Sequence, residues 1–126
     1  MKQNQVLIAG AVLGLLGVAL GAFGAHGLKP HLVVTGRLET FETAVKYQFY
    51  HDLALILSAL FMLLKSHRFL NIAATLMFSG VIIFSGSLYI LCLTNIGTWG
   101  AVTPVGGVLM IVGWCYLIFY GIKKAR

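Results

Sequence analysis
Few residues in this chain can do chemistry, and two of them are histidines beside apolar runs. His26 closes the stretch GAFGAHGL, and His51 stands in YQFYHD at the start of the next run. Consecutive membrane-crossing helices run antiparallel, so both imidazoles are expected at one membrane face, where they can approach each other. Such a pair can pass a proton, or hold a divalent transition metal if Glu39, Glu42 or Asp52 joins it. Asp52 lies one residue inside an apolar run, with Gln48 one turn before it and Tyr47 and Tyr50 alongside. An ionisable group at membrane depth is costly and faces an interior or a wet cavity. The ligand-binding candidates are therefore His26, His51, Tyr47, Gln48 and Asp52 at the outer face, with Ser85 and Ser87 deeper. A plainer alternative stands beside each. An imidazole can bond a loop carbonyl, a tyrosine can anchor at the interface, and Asp52 can pair with Lys46, Lys29 or His26. His31 and His67 are expected in solvated loops.

The same residues argue against catalysis. The chain holds only three acidic residues, too few for multi-metal chemistry. It has no nucleophile elbow and no HExxH, and GAFGAHG lacks the lysine of a phosphate-binding loop. The expectation is a non-enzymatic protein with no catalytic residues, no metal site and no cofactor.

These side chains must be positioned by helices in lipid. Of 126 residues, 60% are hydrophobic and 10% charged, against about 25% charged in soluble domains. One domain over residues 1–126 is expected, with four apolar spans at about 6–25, 47–64, 69–93 and 105–122. Each is near the roughly 20 residues that cross a bilayer. The first run exceeds the roughly 7–15 residues of a signal-peptide core and reads as a retained span. Lys2, Lys65, Arg68, Lys123, Lys124 and Arg126 fall on one side, and Lys29, Arg37 and Lys46 on the other. That excess places both termini in the cytoplasm of a multi-pass inner-membrane protein. The net charge of +6 therefore reads as membrane orientation and contact with anionic lipid, not as nucleic-acid binding. Cys92 and Cys115 lie inside apolar runs and read as small packing residues.

Gly10, Gly14, Gly17, Gly21 and Gly24 repeat at spacings of 4, 3, 4 and 3, which makes one ridge on a helix. Small residues let backbones approach in lipid, so the ridge needs a close neighbour, either in this chain or in a second subunit. Residues 38–50 read as an amphipathic interfacial helix, with Glu42 and Lys46 paired at i, i+4. It either turns into span two or runs straight into it. In FSGSLY, Ser85, Gly86 and Ser87 allow a close crossing, or a local break lining a substrate path. In TPVGG, Thr103 and Pro104 start a helix, and Gly106 and Gly107 either pack or receive an anion. Trp99, Tyr116 and Tyr120 suit the aromatic belts.

GAFGAHGL, YQFYH with LAL, FSGSLY, and TPVGG followed by GW occur in that order along nearly the whole chain. The set resembles domain-of-unknown-function family 423. The resemblance implies a four-span inner-membrane protein and brings no activity, ligand or catalytic residue. In that pattern the position after the histidine of YQFYH is small or apolar, and here it is Asp52. His26 and His51 therefore rank ahead of Asp52. The functional expectation is an accessory protein binding a lipid, a partner membrane protein or a second copy of itself. The alternative is a small permease or ion or proton pathway with the His/Tyr cluster at its outer mouth. A membrane-embedded enzyme is the weakest reading.

Overall fold
The computed structural model describes residues 1–124; Arg126, counted in the charge balance, lies outside the described residues. It has five helices: α1 Gln3–Ala25, α2 Lys29–Thr35, α3 Leu38–Leu64, α4 Arg68–Thr94 and α5 Thr103–Lys124, with a 3-10 turn Gly97–Ala101 before α5. All but α2 are long and apolar enough to cross a membrane.

The boundaries follow from local chemistry. Pro30 opens α2, and Gly36 ends it at φ 69°, the left-handed region that glycine enters without a Cβ clash. His67 begins α4 by accepting the Phe69 N–H on Nδ1 at 3.1 Å, so it is a helix cap and not only a solvated loop residue. His31 lies in α2 and is exposed. The amphipathic stretch 38–50 is not a separate interfacial helix. It is the first half of α3, continuous through Leu64, because no glycine or proline interrupts the sequence between them. The separate short helix between the first two spans is α2.

The spans pack as two close pairs joined along α3 and α4. The glycine ridge of α1 has its neighbour within the chain. A Cβ on Gly10 would stand 2.9 Å from the Asp52 carbonyl, one on Gly14 3.1 Å from Asp52 Oδ2, and one on Gly17 3.0 Å from the Phe49 ring. A Cβ on Gly24 would overlap the Phe41 ring, and one on Gly21 would only touch Val45. In the second pair Gly106 lies on the α4 backbone at Phe84 and Gly80, and Gly113 lies on Met77. Gly107 makes an ordinary contact with Phe84, and Gly86 has open space where its Cβ would be. The close crossing of α4 thus runs through Gly80, not Gly86. The backbone approach at Gly106 leaves no room for an anion there.

The N-terminus, the last described turn of α5 and the α3–α4 turn share one end. The Met1 amine lies 3.5 Å from Thr75 Oγ1, and Lys123 sits 5.5 Å over the Phe69 ring. At the other end Arg37 Nε donates to Asn95 Oδ1 at 3.0 Å.

Candidate functional site
Two features stand out: a polar cluster at mid-span and a groove beside it. The cluster is built on α3. The Gln48 amide nitrogen donates to the Leu13 carbonyl of α1 at 2.7 Å, and its amide oxygen accepts the Tyr89 hydroxyl of α4 at 2.6 Å. One buried side chain therefore ties three helices. His51 is also buried. The Tyr47 carbonyl lies 2.7 Å from His51 Nδ1 and can only accept, so Nδ1 carries the hydrogen. Nε2 is then left to accept the Trp114 indole N–H of α5 at 3.1 Å. Both ring nitrogens are used.

Asp52 follows with 2% exposure. Its Oδ1 is buried and has no hydrogen-bond partner. Since Leu13 and Gly14 lie halfway along α1, Gln48 and Asp52 sit at the middle of the bundle rather than at its outer face.

His26 does not join them. It ends α1, exposed, with its own N–H on the Phe23 carbonyl. Gly24 lies level with Phe41, and ten helical residues from Phe41 to His51 span about 15 Å. Tyr47 is 39% exposed; its ring stacks on the His51 ring at 6.5 Å and lies tilted against Phe84 at 5.0 Å. Ser85 Oγ donates to the Ala44 carbonyl at 2.8 Å, and Ser87 Oγ pairs with Thr103 Oγ1 at 2.7 Å. These serines join helices, and α4 runs unbroken past both. Trp114 and Tyr89 were not singled out from sequence as partners of His51 and Gln48. Among the described residues, no three His, Cys, Asp or Glu side chains gather as metal ligands would. Cys92 is buried and Cys115 exposed, both as free thiols.

The groove lies between α3 and α5. It encloses about 520 Å³ against Ala54, Leu57 and Phe61 on one wall and Trp114, Leu117 and Tyr120 on the other. Lys124 stands at its mouth. Tyr120 and Lys124 also line a second cavity of about 170 Å³, together with Lys65, His67 and Lys123. An apolar trough thus has next to it a cavity, or cup, with three lysines, at the end that carries Met1 and Lys124.

Residues 20–107 match the family described as "Protein of unknown function (DUF423)". The UPF0382 membrane protein SAB0533 of Staphylococcus aureus (strain bovine RF122) is 45% identical over 94% of this chain and 96% of its own. The UPF0382 membrane protein YwdK of Bacillus subtilis is 42% identical over 93% and 95%. The UPF0382 inner membrane protein YgdD of Escherichia coli K12 is 36% identical over 100% and 95%. No solved structure matches.

Proposed function
The chain belongs to the DUF423 family of membrane proteins, and on that premise we propose that it is a non-enzymatic accessory protein holding an anionic phospholipid. The carrying observation is that an apolar groove and a basic cavity lined by Lys65, Lys123 and Lys124 share Tyr120 and Lys124 as lining residues. Acyl chain carbons match the trough, because Leu57, Phe61, Leu117 and Trp114 offer almost no polar surface. A phosphate matches the cup. With both termini in the cytoplasm, the cup faces the leaflet whose anionic lipids attract basic side chains.

Each lysine near an anionic surface contributes about 1 kcal/mol. Removing all three charges should therefore weaken binding by roughly a hundredfold. The test is native mass spectrometry after reconstitution with equal phosphatidylglycerol and phosphatidylcholine. The wild type should retain one phosphatidylglycerol per chain, and the triple variant K65Q/K123Q/K124Q should lose it. The same spectra give the subunit number. Equal retention of both lipids, or a triple variant that binds like the wild type, would refute the reading.

A further inference from the structure
Among the described residues Asp52 is the one side-chain carboxyl placed inside the helix bundle; Glu39 and Glu42 are exposed at the start of α3. Its Oδ1 is buried without a partner, while Gln48, His51, Ser58, Ser85 and Ser87 are all hydrogen-bonded. Buried polar atoms are normally satisfied, so an exception asks what completes it. The surrounding elements supply no counter-charge. Along Gln3–Ala25, α1 has no titratable side chain. On α4 the group reaching toward this level is Tyr89, whose hydroxyl is held by Gln48. No charged side chain precedes Lys123 on α5. On α3 itself, both nitrogens of His51 are engaged elsewhere.

An unpaired charge within a membrane span needs a counter-ion. Space selects which one. A single Cβ on Gly14 would come within 3.1 Å of Oδ2, so the α1 backbone closes that side. Oδ1 itself is buried away from solvent, so neither oxygen has room for a hydrated metal ion, whereas a proton needs none.

We propose that Asp52 is a proton-binding site at mid-membrane, set in the seam between α1 and α3. Loss of the proton puts a charge against Gly14, so proton release is coupled to separation of α1 from α3. This site is independent of the lipid groove and is a property of Asp52 in this chain.

Dicyclohexylcarbodiimide tests it on the intact protein in liposomes. A protonated carboxyl adds across the carbodiimide, its proton passing to nitrogen, and the adduct keeps every atom of both. Peptide mass mapping should find the adduct on Asp52, with labelling that declines as pH rises. Glu39 and Glu42 should stay unlabelled at limiting reagent, and the near-isosteric Asp52→Asn should take up none. Absence of an Asp52 adduct at every pH, or labelling indifferent to pH, would overturn the proposal. So would protection by sodium or potassium at fixed pH, which assigns the site to a metal cation.

Discussion
Gln48 does more joining than any other side chain, since its two bonds reach α1 and α4 from α3. Hydrogen bonds between membrane helices are worth about 0.6 kcal/mol on average, and an orphaned buried hydroxyl adds to the loss. Gln48→Leu should therefore destabilise by about 1–2 kcal/mol in equilibrium unfolding from mixed micelles. Adding Tyr89→Phe should cost little more, because the tyrosine hydroxyl is already without its acceptor. Full additivity of the two changes would show that the bond is not formed. Trp114→Phe removes the donor to His51 and trims the ring that packs on it and lines the groove, so it should cost at least about 0.6 kcal/mol. At this scale the sequence made His51, Gln48 and Asp52 conspicuous, as polar groups in an apolar run. It could not supply their partners, since Trp114 lies 63 positions from His51, on a helix that only folding brings beside it. The expected nearness of His26 and His51 rested on starting span two near Tyr47. Because α3 begins nine residues earlier, at Leu38, His51 is carried to mid-span.

Between elements, glycines decide which helices touch. At Gly80 and Gly106 a Cβ would meet backbone of the facing helix, which cannot swing aside as a flexible side chain can. Gly106→Ala and Gly80→Ala should each destabilise by about 1–3 kcal/mol. Gly86→Ala and Gly121→Ala meet nothing within 4 Å and should be neutral or stabilising by up to about 1 kcal/mol. Thermal unfolding in one detergent compares all four, and equal losses would contradict the α4–α5 crossing. The α1 ridge was legible because its glycines recur every three or four residues. The α4–α5 crossing was less so, because Gly80 and Gly86 in span three are six residues apart and form no ridge, and Gly80 packs against Gly106 on another helix. Pro30 and Gly36 do frame α2, yet a seven-residue helix is too short to carry a periodic signal.

For the whole molecule, composition alone required lipid, and four apolar runs required an even-numbered path. The chain does return Met1 and Lys123 to one end. Which side of the membrane that end faces rests on the lysine and arginine count, and single cysteines introduced at Ser66 and Gly97 can read it. With the native cysteines replaced, an impermeant thiol reagent added to whole cells should label position 97 and spare position 66. The reverse pattern would invert the protein and turn the lysine cup away from the inner leaflet. The groove itself was invisible in sequence, because its two walls come from α3 and α5 and meet only after folding.

Trp114 lines that groove, so it can report the occupant directly. With Trp99 replaced by Phe, Trp114 is the one indole left, and brominated acyl chains quench indole fluorescence on contact. Brominated phosphatidylglycerol should quench it at a much lower mole fraction than brominated phosphatidylcholine, and K65Q/K123Q/K124Q should erase that preference. Equal quenching by the two lipids in the chain with all three lysines intact would contradict an anionic-lipid site.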